Sequence, residues 1–457
     1  MMTSKKSVTV KLICLICACL LLCSCQSRTG ESTVTAVTET TATETTAVET
    51  ETEETTVEAS EEFINSVSER VYGAIREYAL FFVYQSFDLD SYLAGECSLR
   101  DYILGGDTYN RIYAEYYNFE FIESYEFEEL EASNYIIISD SCFTAEINYK
   151  LNITFTDPEQ LNDDYQHLHA IWTFVKENDT WMLVSSERIG DEIDSLDEQK
   201  TELADDDDGI ELVAIRENEY SGMLMIIKDP SRVFCGTIPE FGYFYGDTVS
   251  GIIDNYNSNG INVVAGINGG NFVDNGVGNT ATAMPLGLVI ANGQVVMAES
   301  GEDDDAAYHI AGFNYDNEFV MGTMTVNEAL QQGIRDAIYC TETTGPFLVQ
   351  DGEILWDQIP DTATYGAGKN PRTAIGQRSD GAVLLLTVNG RQPDSLGASF
   401  AELAQIMYDN GAVNAAAMDG GTSSQMIYEG EILNHPYSAF GPRLCPTAWL
   451  VLAKEND

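Results

Sequence analysis

The chain has 457 residues and a formal net charge of −52, set by 74 acidic residues against 22 lysines and arginines. A single domain is typically about 100 to 200 residues long, so this length predicts more than one folded unit together with accessory segments. The negative charge would repel nucleic-acid phosphates, so we expect no nucleic-acid partner.

Residues 1–25 have the pattern of a bacterial export signal. Three lysines precede an apolar run over residues 12–22, which is about half as long as a membrane-spanning helix. The run ends in LCSC, which resembles the bacterial lipobox, although a cysteine in its second position is unusual. The resemblance implies a lipoprotein whose first mature residue, Cys25, carries two acyl chains and anchors the exported domains to the outside of the membrane. The alternative is simple secretion.

The segment from residue 26 to residue 60 is predicted to be a disordered stalk. From Glu31 onward it consists almost only of Thr, Glu, Val, Ala and Ser. Such a composition buries too little apolar surface to offset the entropy of the chain. We therefore expect the folded domains to stand away from the membrane on a flexible tether.

Half of the cysteines lie in the export signal, and the mature chain keeps Cys97, Cys142, Cys235, Cys340 and Cys445. An odd number outside the cell leaves at least one thiol unpaired unless it bonds another chain. None forms a CxxC motif or a Cys/His cluster, which argues against a structural zinc site. The pairing of these cysteines stays open.

Residues 61–195 are predicted to form an α+β domain. Apolar residues at helical spacing from Phe63 to Phe82 indicate one long amphipathic helix. After Tyr117 the apolar period changes to two, and a hairpin is predicted to turn near Asn178 and Asp179. A helix on a curved antiparallel sheet is the expected architecture. It resembles the nuclear transport factor-like domains that are appended to many exported bacterial proteins.

Two features before residue 210, a pair of histidines and a run of aspartates, could suggest a metal site. His167 and His169 alternate on one strand face, which fits a metal pair but is more typical of the polar face of a hairpin. The run from Asp205 to Asp208 lacks the spacing of an EF-hand loop. We interpret residues 196–209 as a solvated acidic linker.

Residues 210–457 are predicted to form a mixed α/β unit of the α+β class. Apolar runs of strand length are separated by a helix with clear boundaries. Ser399 and Glu402 have the spacing of a capping box, and Gly411 ends the helical pattern. The order is therefore strand, loop, helix, strand and turn, and the last turn contains Asp419.

Two polar residues follow buried strands directly and precede glycines. Asp419 precedes Gly420 and Gly421, and Asn268 precedes Gly269 and Gly270 at the end of another apolar run. Glycine lets a backbone or a ligand approach closely, so the two turns together predict one shared site. The alternative for either turn alone is an ordinary tight turn.

Arg372 is a candidate anion ligand. Pro371 precedes it and stiffens the backbone, and an apolar strand follows it. A guanidinium offers a planar fork of donors that matches phosphate or carboxylate. The alternative partner is a buried aspartate of the fold.

The C-terminal unit resembles a known enzyme family through five motifs: NGGNF, TTGPFLVQDGEI, NPRTAIG, VNGRQPDSLGASFAEL and MDGGTSSQM. In this order and spacing they are similar to the phosphodiester glycosidase family, which includes the animal uncovering enzyme. The similarity covers most of residues 210–452. It implies a hydrolase that cleaves the C1–O bond of a sugar-1-phosphodiester, such as an N-acetylglucosamine-1-phospho-glycan, in exopolysaccharide or cell-envelope glycan metabolism. The expected partner is therefore a phosphoglycan substrate.

The chain departs from the family pattern at two positions beside the expected pocket. The family often has an aromatic residue where Asn271 stands and a third glycine where Thr422 stands. These departures concern the preference for the sugar rather than the chemistry.

Residue chemistry and motif position together suggest roles. Asp419 is the expected carboxylate that serves an oxocarbenium-like transition state as nucleophile or as base for water. Arg372 would clamp the departing phosphate, and Asp394 and Glu342 are weaker candidates for a second acid or base. The expected substrate-binding residues are Asn268, Gly269, Gly270, Asn370, Thr373, Arg391, Gly420, Gly421, Ser423, Ser424 and Arg443.

Other enzyme signatures are missing from the sequence. It contains no GxSxG, HExxH, GxGxxG or Walker motif, so we expect neither a cofactor nor a metal. His309 and His435 fit structural or surface roles better than catalytic ones. Two other functions stay open: a non-catalytic glycan-binding lipoprotein, and a metal-dependent phosphodiesterase that cuts the P–O bond. Because every motif follows Gly209, catalysis is predicted to reside wholly in the C-terminal unit.

Overall fold

The architecture is that of a computed structural model, which describes residues 56–83, 88–101, 122–156, 165–189, 208–273, 281–301, 305–340, 346–356, 368–435 and 442–454. The predicted export signal, Cys25 and nearly all of the predicted stalk lie outside these residues. No helix within the described ranges is both long enough and apolar enough to cross a membrane.

One long helix, α1 (Glu61–Phe82), opens the N-terminal domain, as the apolar spacing predicts. The hydroxyl of Ser60 caps it by accepting a hydrogen bond from the Phe63 amide at 3.3 Å. Glutamates in the first turn favour the helix dipole. The buried face includes Val67, Val71, Ala74, Ile75, Tyr78, Ala79 and Phe82.

Helix α1 packs on a five-stranded antiparallel sheet in which chain order and sheet order coincide. The strands are β1 (Val57–Glu58), β2 (Ile122–Ser139), β3 (Cys142–Phe155), β4 (Tyr165–Glu177) and β5 (Thr180–Arg188). A 3₁₀ turn (Leu89–Tyr92) and a short helix, α2 (Ser98–Asp101), lie between β1 and β2 along with α1.

The shape of this sheet also agrees with the sequence. β4 and β5 are joined by Asn178 and Asp179, whose φ angles of 47° and 64° give the left-handed backbone of a two-residue hairpin. Register shifts between β2 and β3 bend the sheet. The predicted helix on a curved antiparallel sheet is confirmed.

The predicted start of this domain at residue 61 is too late. β1 pairs with β2, and the Ala59 amide donates to the Tyr135 carbonyl at 2.9 Å. The last residues assigned to the stalk therefore belong to the domain, because their extended backbone completes one edge of the sheet.

The acidic linker ends in a fixed contact with the C-terminal domain. The carbonyl and carboxylate of Asp208 accept hydrogen bonds from Arg232 at 2.5 and 3.0 Å. The Gly209 carbonyl accepts one from the Lys228 amide at 3.0 Å. Ordered contacts thus begin at Asp208, whereas the rest of the aspartate run lies outside the described residues.

Where the structure describes it, the C-terminal domain is an α+β assembly of three sheets whose strand pairings are all antiparallel. The strands are β6 (Ile210–Arg216), β7 (Ser221–Ile227), β8 (Val233–Thr237), β9 (Val263–Asn268), β10 (Leu288–Ala291), β11 (Gln294–Ala298), β12 (Ala307–Asn314), β13 (Phe319–Thr325), β14 (Ile334–Tyr339), β15 (Phe347–Gln350), β16 (Glu353–Ile354), β17 (Arg372–Arg378), β18 (Val383–Val388), β19 (Ala412–Ala417), β20 (Met426–Tyr428), β21 (Glu431–Ile432) and β22 (Thr447–Leu452). The helices are α3 (Val249–Ser258), α4 (Val326–Gln331) and α5 (Phe400–Asp409), with 3₁₀ turns at Pro230–Arg232 and Gly421–Ser423.

The strands follow one another in the sheets as β16-β15-β19-β17-β18-β7-β6, β21-β20-β9-β22-β8 and β11-β10-β14-β12-β13. β18 is buried on both faces, which explains its unbroken apolar sequence. Leu384 and Leu386 belong to a cluster with Phe400 and Leu403 of α5. Leu385 faces the other way and joins a cluster with residues of β9 and β22. The capping box of Ser399 and Glu402 is confirmed at the start of α5.

All five cysteines of the described chain are free thiols. Burial raises the pKa of Cys235, Cys340 and Cys445. A high pKa keeps a thiol protonated and unreactive, so these three side chains serve as small core residues.

Candidate active site

The ends of β9 and β19 meet although the two strands belong to different sheets. The Asp419 amide donates to the Gly269 carbonyl at 3.1 Å, and the Met418 amide donates to the Thr373 carbonyl at 2.8 Å. An added Cβ at Gly269 would lie 2.3 Å from Thr447 Oγ1, so only glycine permits this approach. The predicted convergence of the two strand-end turns is therefore present in the structure.

Asn268 holds the Asp419 turn from beneath. It is fully buried, and its Nδ2 donates to the Asp419 carbonyl at 2.7 Å. Its Oδ1 accepts hydrogen bonds from Thr373 Oγ1 at 2.8 Å and from the Gln425 amide at 3.2 Å. Asn268 and Thr373 are predicted to bind substrate. In the structure their side chains hydrogen-bond each other inside the domain, because both the oxygen and the nitrogen of a buried amide need partners.

The carboxylate of Asp419 is oriented by a residue that the sequence does not single out as part of the site. Asn271 Nδ2 donates to Asp419 Oδ1 at 3.0 Å. The Oδ1 of Asn271 is itself buried and has no hydrogen-bond partner among the described residues. A buried acceptor of this kind, beside a carboxylate, is suited to a ligand hydroxyl or a water molecule. The only sequence signal was the departure from the family pattern at this position.

Arg372 begins β17 with its guanidinium turned into the domain, and its side chain is 4% exposed. Nε donates to the Ala398 carbonyl at 2.9 Å, and Nη2 donates to the Gly368 carbonyl at 2.6 Å. The guanidinium carbon lies 3.9 Å from the centre of the Phe400 ring. Burial, and then the charge of Arg391, lower the pKa of Arg372. The surroundings of the Arg372 guanidinium therefore disfavour its positive charge. A bound anion would stabilise that charge.

Arg391 lies next to Arg372 at the same turn. Its Nε and Nη2 donate to Asn370 Oδ1 at 3.3 and 3.0 Å, so Asn370, a predicted substrate ligand, holds the guanidinium. An added Cβ at Gly421 would lie 3.4 Å from Arg391 Nη2. The half-buried guanidinium thus covers the glycine turn directly after Asp419.

The two glycines after Asp419 are needed for this packing. An added Cβ at Gly420 would lie 2.8 Å from the Pro371 carbonyl oxygen and 3.8 Å from Arg372 Cδ. Gly421 has a φ of 61° and donates its amide to the same carbonyl at 2.8 Å. The aliphatic part of Arg372 and the guanidinium of Arg391 therefore pack against the two glycines that follow Asp419.

Four more predicted ligands are buried. Ser423 is 3% exposed, and Ser424 is fully buried with an Oγ that has no hydrogen-bond partner within the described part of the chain. Arg443 is 5% exposed, and its guanidinium carbon lies 5.8 Å from the centre of the Phe272 ring. Gly270 fits against the Tyr339 carbonyl, where an added Cβ would lie at 2.4 Å.

Asp394, one of the two weaker acid or base candidates, does not join this group. Asp394 lines a small cavity at the contact with the N-terminal domain, together with Tyr78, Arg188 and Glu219. This position follows from the loop after β18, which runs toward the N-terminal domain before returning to α5. Glu342 lies outside the described residues.

The histidines have structural partners. His167 and His169 contact Asn148 Oδ1 at 3.3 Å and Glu146 Oε1 at 2.7 Å on the neighbouring strand. The His309 ring stacks on a phenylalanine with centroids 3.7 Å apart. The His435 amide donates to Asn389 Oδ1 at 2.8 Å. Across the described ranges, no three His, Cys, Asp or Glu side chains are grouped so as to hold a metal ion.

Part of the C-terminal domain is similar to a known enzyme family. Residues 261–452 match the family model of phosphodiester glycosidases. The SPbeta prophage-derived uncharacterized protein YomE of Bacillus subtilis (strain 168) is 38% identical over 91 residues, which are 20% of this chain and 14% of that protein. The N-acetylglucosamine-1-phosphodiester alpha-N-acetylglucosaminidase of Mus musculus is 25% identical over 165 residues, which are 34% of this chain and 31% of that enzyme.

A solved structure is also similar. The zebrafish N-acetylglucosamine-1-phosphodiester alpha-N-acetylglucosaminidase catalytic domain, auto-inhibited by its pro-peptide, aligns with a TM-score of 0.43 and 21% identity, covering 54% of this chain and 82% of that one. The chain aligns with less than a third of the length of the two curated relatives.

Proposed function

We propose that this chain hydrolyses a sugar-1-phosphodiester at its C1–O bond, because residues 261–452 match the family model of phosphodiester glycosidases. The observation that carries the proposal is the position of the Arg391 guanidinium over Gly421, in the glycine turn that directly follows Asp419, while Asn271 holds the Asp419 carboxylate. A carboxylate and a guanidinium at one turn match a substrate that develops positive charge on the sugar and negative charge on the phosphate.

The reaction divides between the two ends of the site. The C1–O bond breaks with its electron pair leaving on the phosphate oxygen, and water supplies the new oxygen at C1 and a proton to the medium. A phosphate monoester leaves without full protonation, so guanidinium groups replace much of the work of a general acid. Asp419 stabilises the oxocarbenium-like carbon, either as a nucleophile or as the base that activates water.

The structure suggests a division of labour between the arginines. Arg372 donates two hydrogen bonds to the backbone carbonyls of Ala398 and Gly368. We therefore assign to it a structural role, in which it holds these backbone segments in place and supplies a fixed positive charge. Arg391 is the better candidate for direct contact with the phosphate, because its guanidinium is half-buried and lies over Gly421. Asn271 keeps the Asp419 carboxylate in place.

The wider role is a proposal from the sequence. An export signal with a lipobox-like end supports action at the outer face of the membrane on an exopolysaccharide or another cell-envelope phosphoglycan. The Mus musculus relative has N-acetylglucosamine in its name, so an N-acetylglucosamine-1-phosphodiester is the first substrate to try.

The test is product analysis in ¹⁸O-labelled water with a panel of sugar-1-phosphodiesters. Glycosidase action places the label on C1 of a free sugar and leaves an unlabelled phosphate monoester on the other product. A phosphodiesterase instead labels phosphate, releases a phosphorylated sugar or its partner alcohol, and responds to chelators. Saturable binding without products would identify a glycan-binding protein. The Asp419→Asn variant is the control, and label on phosphate or full activity in that variant would reject the proposal.

A further inference from the structure

The loop that carries Arg391 is fixed at its far end by the N-terminal domain. This loop, residues 389–398, joins β18 to α5. Leu396 is 3% exposed and packs in the core cluster of the N-terminal domain rather than in that of its own domain. It lines a small cavity with Tyr78 and Leu168, which belong to α1 and β4. The loop therefore passes through the contact between the two domains.

A buried tyrosine makes the second link. Tyr78 is fully buried, and its hydroxyl donates to the Pro393 carbonyl at 3.0 Å. In its own domain, the Tyr78 ring packs edge-on against the Trp172 ring with centroids 5.0 Å apart, and Trp172 Nε1 donates to Ser186 Oγ at 2.9 Å. The Tyr78 ring is thus held by its own domain while its hydroxyl bonds the loop of the other.

The contacts of Leu396 and Pro393 with the N-terminal domain are close to Arg391 in the loop. The Arg391 amide donates to the Leu396 carbonyl at 3.3 Å. Between them, Gln392 and Ser395 exchange amide–carbonyl hydrogen bonds at 3.0 and 3.1 Å, so the loop is a small rigid hairpin. Arg391 itself has a φ of 60°, a left-handed conformation that a residue with a side chain adopts only where its surroundings enforce it.

We propose that Tyr78 and Leu396 are positioning residues through which the N-terminal domain holds Arg391 over the Asp419 turn, where the phosphate of the substrate binds. The inference builds on the function proposed above, because it needs an anion at Arg391. It also changes the expectation that catalysis resides wholly in the C-terminal unit. The accessory domain contributes no atom to the reaction but fixes one guanidinium.

The distinguishing experiment compares Tyr78→Phe with Tyr149→Phe in the full chain. Tyr149 is a matched control because its ring is fully buried in the same core and its hydroxyl has no hydrogen-bond partner among the described residues. Loss of the Tyr78 hydroxyl removes one hydrogen bond to Pro393. We expect KM for a sugar-1-phosphodiester to rise about 3- to 10-fold in Tyr78→Phe, as for the loss of a single hydrogen bond. KM and kcat for an aryl glycoside without phosphate should change less than about 2-fold, and Tyr149→Phe should match the wild type.

Inorganic phosphate provides a readout that does not depend on turnover. Calorimetric titration should show about 3- to 10-fold weaker phosphate binding in Tyr78→Phe and unchanged binding in Tyr149→Phe. Leu396→Ala should weaken it at least as much, and Tm values verify that each variant is folded.

Equal phosphate affinity in the wild type and Tyr78→Phe overturns the positioning role, as does an absence of phosphate binding in the wild type. Equal losses on both substrates also overturn it, since they would indicate general damage to the fold. If phosphate binding follows the expected order while no phosphodiester is cleaved, only the proposed function fails.

Discussion

Asn271 donates its side-chain amide to Oδ1 of Asp419 at 3.0 Å, across 148 residues of sequence. The amide fixes one carboxylate oxygen and leaves the carboxylate oriented at the end of β19. A hydrogen bond to a charged group contributes about 1.5 to 3 kcal/mol, so this contact is strong enough to decide where the carboxylate points.

We expect Asn271→Ala to reduce kcat about 10- to 100-fold while Tm changes little, because a misdirected carboxylate loses its alignment with the anomeric carbon. Asn271→Asp should be worse, since a second negative charge would repel Asp419. Steady-state kinetics with a single sugar-1-phosphodiester and a thermal melt are sufficient. Wild-type kcat in folded Asn271→Ala would show that the contact does not orient a reacting group.

Asp419→Asn tests the carboxylate itself. The substitution keeps size and hydrogen bonding but removes the charge that stabilises the oxocarbenium-like state. Turnover should drop about 100-fold or more with the fold intact. The backbone contacts of Asp419 with Gly269 and Asn268 do not involve its side chain, so the variant should fold normally. Near-normal kinetics would remove Asp419 from the chemistry.

The two arginines should respond differently to replacement by lysine. Arg391→Lys keeps the charge but loses the planar fork, so kcat/KM for phosphodiesters should fall about 10- to 100-fold while an aryl glycoside is nearly unaffected. Arg372→Lys also loses the contacts with Ala398, Gly368 and Phe400. It should therefore lower the free energy of unfolding by about 1 to 3 kcal/mol and slow both substrates. Identical profiles for the two variants would contradict this division.

Local sequence signals predicted several elements of both domains. The capping box at Ser399, the left-handed hairpin at Asn178 and Asp179 and the glycine turn after Asp419 each depend on neighbouring residues. Such short-range rules operate before any tertiary contact forms, so the sequence alone was enough to place them.

The contacts that complete the site are long-range, and no local pattern contains them. Arg372 was expected to face an anion, and its guanidinium donates to the carbonyls of Gly368 and Ala398. Asp394 lies in the loop between β18 and α5 and lines a cavity with residues of the N-terminal domain. In both cases the direction of the side chain is decided by which strands become neighbours, a choice that residue type and spacing do not encode.

Lys369 makes the stability of the C-terminal domain depend on alkaline pH. Its ammonium bonds Glu402 at 2.6 Å and Glu219 at 2.7 Å. Burial lowers the pKa of Lys369, but attraction by the two carboxylates outweighs it and raises the pKa above the ordinary value. A lysine whose pKa is raised by folding stabilises the folded state fully below its unfolded pKa of about 10.4 and loses that contribution as the pH rises through the folded value.

Lys369→Met should therefore lower the free energy of unfolding by about 1 to 3 kcal/mol at pH 8. The difference from the wild type should shrink as the pH rises above about 10.4. Denaturant unfolding at several pH values measures it, and Lys228→Met, at an exposed position, serves as the control. A difference that is constant up to the highest accessible pH would show that the ammonium charge is not the stabilising feature.

Cys25 tests where the protein acts. The LCSC sequence places this cysteine three residues after the apolar run of the export signal, where lipidation would supply two acyl chains. Two chains give stable membrane anchoring, whereas one chain gives only marginal binding. Cys25→Ser should therefore move the protein from the membrane fraction to the soluble fraction, measured by immunoblot after fractionation of cells that express the full chain. Cys23→Ser, two residues earlier, should leave it in the membrane fraction, since it removes a thiol from the same segment without removing the lipidated residue. Retention of Cys25→Ser in the membrane would mean that something other than this lipid holds the protein there.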